Sequence, residues 1–315
     1  MSVIRRIAML VGVVLALCFI AAPIAQAQSC SVSITNVAFG DVDVTLNTVI
    51  DVQATVSVTC STLLGVRVCI DIGAGTGGGT NAANRRMING ANSLNYGLFS
   101  DPGRTVPWGS SRWPAGGGTD VFIDMNSGTQ TRTLYARLYA GQQTALPLLY
   151  ASTFTGLEAS IRYGLLSGLL GCSLLTTTSS TTFTATANVP KTCRVSAGNI
   201  NFGSNGLLLT NIDQASALSS TCTNTTPYWI GLNGGLQGAT NPTQRKMMKG
   251  LEFVLYGLYR DNARSLPWGS TNGTNTVSGT GSGFAQPAQI FGRVAPQATP
   301  SPGGYQDTVV ATINY

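Results

Sequence analysis

The chain repeats itself, and this limits its fold more than any other feature. Cys30-Ser-Val-Ser-Ile-Thr-Asn-Val-Ala-Phe-Gly40 returns as Cys193-Arg-Val-Ser-Ala-Gly-Asn-Ile-Asn-Phe-Gly203, and each opening leads to a second cysteine, Cys60 or Cys222. Arg86-Met87 to Gly90 returns as Lys246-Met247 to Gly250. Tyr96-Gly97-Leu98, with Asp101 and Arg104 after it, returns as Tyr256-Gly257-Leu258 with Asp261 and Arg264. Pro107-Trp108-Gly109-Ser110 is answered by Pro267-Trp268-Gly269-Ser270, and Leu157, Ala159, Ile161 and Tyr163 alternate as Val309, Ala311, Ile313 and Tyr315 do. Matches of this length, kept in this order, mean one fold used twice.

Within a copy the period is two. Ile50, Val52, Ala54, Val56 and Val58 alternate with Asp51, Gln53, Thr55, Ser57 and Thr59, the pattern of a half-buried antiparallel strand. Several such runs, separated by turns rich in Gly and Asn, predict an all-β chain of two tandem immunoglobulin-like sandwiches, about 130 residues each.

The compartment follows from the first residues. Arg5 and Arg6 precede an apolar run from Ile7 to Ile20 that ends in Ala25-Gln26-Ala27, so residues 1–27 read as a signal peptide cut after Ala27. Lipid attachment at Cys18 is disfavoured because Leu17 stands where a small residue is wanted. Cys30, Cys60, Cys69, Cys172, Cys193 and Cys222 follow the leader, an even set in an oxidising compartment. The repeat pairs Cys30 with Cys60 and Cys193 with Cys222, and by elimination Cys69 pairs with Cys172. No later apolar stretch is long enough to span a bilayer, so the mature chain is expected to have no transmembrane segment. A formal charge of +6 that is scattered, and that includes the leader's two arginines, does not point to nucleic acid.

Catalysis has little to work with. There is no His, which removes the usual general base, and the 12 acids are thinly spread. Asp101 with Arg104 recurs as Asp261 with Arg264 and reads as a turn brace. Gly73-Ala-Gly75-Thr-Gly77-Gly78 opens no helix and reads as a loop rather than a nucleotide site. The cysteines show no zinc spacing. The expectation is a non-enzymatic protein without cofactor.

The copies differ after their last repeated strand. Beyond Tyr163, Phe183, Ala185, Ala187 and Val189 alternate with polar residues, one more strand; beyond Tyr315 the sequence holds no such run. The expected layout is therefore an N-terminal domain over residues 28–180, a linker or donor-like strand over 181–192, and a C-terminal domain over 193–315. Phe183, Ala185, Ala187 and Val189 would complete the first domain. The second, ending on Val309, Ala311, Ile313 and Tyr315, would be incomplete and need a donor strand from another molecule.

The C-x-V-x-x-x-x-x-x-F-G opening, the Y-G-L core with its D-x-x-R and P-W-G-S, and the tyrosine-ended strand resemble the spore coat protein U domain, a family that includes pilins of archaic, Csu-type chaperone-usher pili. The resemblance implies a pilin fold held by a periplasmic pilus chaperone, passed to an outer-membrane usher, and joined to a neighbouring pilin subunit that donates a strand. Only Gln28 and Ser29 lie between the expected cleavage site and Cys30, so the chain is expected to accept a strand without donating one. With its extra N-terminal domain it resembles a tip adhesin, promoting adhesion to surfaces and biofilm formation. A nonadhesive coat or matrix protein and, more remotely, a secreted hydrolase are the alternatives.

Adhesion is expected in loops that are apolar only in the first copy. Leu146, Leu148 and Leu149 stand opposite a Pro- and Gly-rich stretch of the second, while Leu165, Leu166, Leu169 and Leu170 have no counterpart. Trp113 lies in a Gly-flanked loop.

Overall fold

A computed structural model describes residues 28–110, 113, 117–165 and 171–315. The expected signal peptide and Leu166, Leu169 and Leu170 lie outside these residues.

The first copy contains β1 (Ser29–Ile34), β2 (Val37–Asp41), β3 (Ile50–Ser61), β4 (Val66–Ile72), β5 (Gly79–Asn81), β6 (Asn84–Asn89), β7 (Asn92–Phe99), β8 (Val121–Met125), β9 (Gly128–Leu138), β10 (Leu149–Phe154), β11 (Ala159–Leu165), β12 (Thr177–Ser180) and β13 (Phe183–Asn188). The second contains β14 (Cys193–Ala197), β15 (Ile212–Cys222), β16 (Pro227–Leu232), β17 (Arg245–Lys249), β18 (Glu252–Tyr259), β19 (Val277–Thr280), β20 (Ala285–Val294) and β21 (Ala311–Asn314). No helix among the described residues is long and apolar enough to cross a membrane.

Each copy is a two-sheet sandwich. In the first, one sheet runs β1-β3-β9-β7-β6-β10-β13-β2, with β5 on β6, and the other runs β12-β11-β4-β8. In the second they run β14-β15-β20-β18-β17 and β19-β16-β21. The orders correspond strand for strand until β6 and β17, where the second copy's sheet stops. The alternation in β3 does what its period requires: Ala54, Val56, Val58 and Cys60 are buried between the sheets and the intervening residues face outward.

Three disulfides join Cys30 to Cys60, Cys69 to Cys172 and Cys193 to Cys222. The first and third lock corresponding positions, since Cys30 lies opposite Cys60 across β1 and β3, and Cys193 opposite Cys222 across β14 and β15.

The other repeated motifs turn out to be scaffold. Trp108 and Trp268 are fully buried, each donating its indole N–H to a facing strand, to the Ile70 and Ile230 carbonyls. Asp101 accepts from the Thr105 and Val106 amides, and Asp261 from those of Ser265 and Leu266. Their expected partners bind elsewhere: Arg104 pairs with Asp51 at 3.2 Å and Arg264 with Asp213 at 3.2 Å. The glycine loop is equally occupied. Gly75 N–H donates to Glu158 Oε2, Gly77 N–H to Ser152 Oγ, and a Cβ on Gly77 would stand 1.8 Å from the Arg86 carbonyl.

Two expectations about the last repeated strand need correction. Gly156, at φ 58, turns the chain into a short 3-10 segment, so Leu157 is exposed and β11 begins at Ala159. Tyr315 lies past the end of β21 and is 60% exposed, whereas its counterpart Tyr163 is buried and paired with β12. The edge strand β12, which covers β11, has no sequence signal beyond a run of Thr and Ser.

Candidate functional site

The candidate site is the slot that β13 fills in the first copy. β13 runs antiparallel to β10, with Phe183 opposite Phe154, Ala185 opposite Ser152 and Ala187 opposite Tyr150. On its other side it runs parallel to β2, with Ala185 opposite Val37. Phe183, Ala185, Ala187 and Val189 are all buried, and they enter the same core as Val37, Phe39, Met87 and Tyr96. Polar neighbours fix the register: Thr184 N–H donates to Asn36 Oδ1, Val42 N–H to the Asn188 carbonyl, and Val189 N–H to the Leu148 carbonyl. The segment expected as a linker or donor-like strand thus lies in the first copy's sheet through Val189. Burial of four apolar side chains at ~1.5–3 kcal/mol for each large one makes β13 a principal stabiliser of that copy.

The corresponding walls of the second copy can be aligned atom by atom. Gln142 takes the Asn95 amide and Gln297 takes that of Leu255; Tyr150 Oη donates to the Leu146 carbonyl and Tyr305 Oη to that of Ser301. Residues 301–307 therefore correspond to 146–152, and residues 200–204 correspond to β2. No strand lies between them among the described residues. What was β10 is reduced to a single bridge between Gln306 and Met248, and the β2 counterpart forms no ladder. The physical reason is direct, because β13 is the neighbour through which β10 and β2 are hydrogen-bonded.

Two confluent cavities, of about 310 and 960 Å³, occupy this place. Both are lined by Ile200, Phe202, Met247 and Tyr305. Ile200, Phe202 and Met247 are only half-buried, whereas their counterparts Val37, Phe39 and Met87 are buried. Of the expected terminal-strand residues, Val309 and Ala311 line the smaller cavity, and Ala311 and Ile313 face Leu232 and Ile230 across β21 and β16. Among these walls Asp307 replaces Ser152. Its carboxylate accepts from Tyr256 Oη at 2.7 Å and from the Leu236 amide at 2.8 Å. Burial, with Asp307 beside it, drives the Tyr256 hydroxyl far above its ordinary pKa.

Beneath each slot sits a buried arginine that sequence reasoning missed. Arg85 donates to the carbonyls of Gly73, Ala82, Ile72 and Trp108, and Arg245 to those of Asn233, Pro242, Leu232 and Trp268. Burial lowers the Arg85 pKa to about 10. Both arginines directly precede the repeated Arg86-Met87 and Lys246-Met247 pairs, and that recurrence was the available signal.

The residues expected in adhesive loops differ in exposure. Trp113 is not an exposed loop tip: it is 9% exposed, with the Arg85 guanidinium 4.9 Å from its ring. Leu148 is half-buried and packs against the first core, and Leu146 is half-buried with its carbonyl held by Tyr150. Leu149 and Leu165, at 57% and 42%, are exposed. Of the described leucines in the expected set, Leu149 and Leu165 are thus the exposed ones.

Comparison with known proteins agrees with this architecture. A family model described as Spore Coat Protein U domain matches residues 16–156 and again 179–312. Protein U of Myxococcus xanthus is 32% identical over 145 residues, covering 41% of this chain and 80% of that protein. Among solved structures, a complex described as the CsuC-CsuE chaperone-tip adhesion subunit pre-assembly complex, from archaic chaperone-usher Csu pili of Acinetobacter baumannii, is similar in fold. It has a TM-score of 0.55 at 17% identity, covering 91% of this chain and 100% of that one.

Proposed function

The chain belongs to the Spore Coat Protein U domain family through both of its copies, and from that premise we propose that it is the two-domain tip subunit of an archaic chaperone-usher pilus. In this reading the first copy is the adhesive domain, completed by its own β13, and the second is the pilin domain, which takes a strand from a periplasmic chaperone and then from a neighbouring subunit at the usher. The observation that carries the reading is the slot itself, filled by Phe183, Ala185, Ala187 and Val189 in one copy and open over Ile200, Phe202 and Met247 in the other. Strand addition would supply both the ladder hydrogen bonds and the missing core side chains. The similar fold of a subunit described as a tip adhesion subunit, bound to its chaperone, supports the assignment. Adhesion to surfaces and biofilm formation are the roles expected of the first domain.

Co-expression of the chain with a pilus chaperone from the same cell tests the reading. The two should co-purify, with Ile200→Asp and Phe202→Asp abolishing the complex and Leu149→Ser leaving it intact. Accumulation of the wild-type chain as a stable free monomer that ignores the chaperone would overturn it. A nonadhesive structural protein of a spore coat or extracellular matrix is the second reading, favoured by the description of the family as a Spore Coat Protein U domain. It predicts no dependence on an usher for reaching the cell surface.

A further inference from the structure

The first copy shows which side chains a filled slot contains, so the differences between the two sets of walls specify what the second slot lacks. At the end where β13 leaves the sheet, Ala187 and Val189 are flanked by Leu148, which packs against the core, and by Val42, which is buried. Leu148 corresponds to Gly303. Val42, two residues beyond Gly40, corresponds to Asn205, two beyond Gly203 and exposed. Gly303 and Asn205 both line the larger cavity, the one of about 960 Å³. Two apolar wall side chains have been removed, and the space they left remains open.

The middle of the slot has changed in the opposite direction. Ala185 faces Ser152, which is buried. In the second copy Asp307 stands there, fixed by Tyr256 Oη and the Leu236 amide. A carboxylate is larger than a hydroxymethyl group and charged, so it leaves room only for a small neighbour, and a bulky apolar residue would desolvate it without replacing its hydrogen bonds.

Counting Phe183 as position one of β13, we propose that the second slot selects a strand of different weight distribution: small at position three, opposite Asp307, and large and apolar at positions five and seven, over Gly303 and Asn205. The occupant is an extended segment of another polypeptide with that pattern, not a second copy of β13. This rests on the reading of the slot as a strand acceptor.

The test uses the chain from residue 28 to residue 315 and fluorescent synthetic peptides. One copies residues 181–189, another carries Ala187→Leu with Val189→Phe, and a third adds Ala185→Leu to the second. The second should bind about tenfold or more tightly than the first, because it returns the apolar volume that the walls have lost. The third should lose that gain. Asn205→Val in the chain should shrink the second peptide's advantage, since it restores part of the wall. A Thr186→Cys peptide should cross-link to Gln306→Cys, the counterpart of Ala151, which faces Thr186 in the first copy. Equal binding of the first two peptides, tighter binding of the copy of β13, or binding without the cross-link overturns the size pattern or its register while leaving strand acceptance standing. Failure of every peptide to bind overturns both.

Discussion

The ring of Phe183 lies flat on that of Phe154, centroids 4.4 Å apart and planes 3° from parallel. One ring comes from the strand that fills the first copy's slot and the other from the wall it fills, so this stack measures how much the copy depends on β13. Phe183→Ala should cost about 3–5 kcal/mol, the transfer of a buried ring plus the cavity it leaves. Denaturant unfolding of the full chain should show the loss, with Thr184→Ala, on the outward side, nearly silent. Equal effects of the two would mean that β13 is only laid over an already complete core.

The buried arginines make a second expectation. Each donates to four backbone carbonyls that converge on it, and an orphaned buried carbonyl costs about 1–3 kcal/mol. A lysine ammonium presents a point charge without the guanidinium's fork, so Arg85→Lys should destabilise the first copy and Arg245→Lys the second, despite the conserved charge. Unfolding curves within experimental error of wild type would show that water replaces the fork.

Acid should weaken both copies in parallel. The hydrogen bond from Arg137 holds the Asp51 carboxyl below the usual carboxylate range, and the hydrogen bond from Arg293 does the same for Asp213. Their folded pKa values are depressed, so their stabilisation is complete above the ordinary value of about 3.9 and is lost as pH falls through the lower, folded value. Melting temperature measured across this range should fall more steeply for wild type than for Asp51→Asn with Asp213→Asn. The gap between the two proteins should be widest near neutrality and close in acid; parallel curves would exclude the pairs as its cause.

For adhesion, Leu149 and Leu148 should separate although they are neighbours. Leu149→Ser with Leu165→Ser removes exposed apolar surface and should reduce attachment to hydrophobic surfaces at unchanged display. Leu148→Ser removes a side chain packed on the core and should reduce display itself. Display and attachment are to be measured on the same cells. Attachment unchanged by the double variant at normal display would remove these two residues from the binding surface.

Much of this protein was legible in its sequence because the relevant physics is local. A period of two, set by the alternation of side chains along a strand, marked β3 and β13, and recurrence at matched spacing marked the two sandwiches and the pairing of Cys30 with Cys60 and Cys193 with Cys222. Position along the chain does not report what packs above a side chain. Trp113 therefore read as an exposed loop tip although it lies against Arg85, and Leu157 read as strand although Gly156 turns the chain before it. The arginine clamps were illegible for the same reason, since their carbonyl partners come from segments that meet only when the sheets close. Tertiary structure alone decided that β13 lies between β10 and β2, and hence that the second copy, lacking an equivalent strand among its described residues, leaves Ile200 and Phe202 facing a slot. A strand's hydrogen bonds reach sideways to neighbours that sequence order does not name.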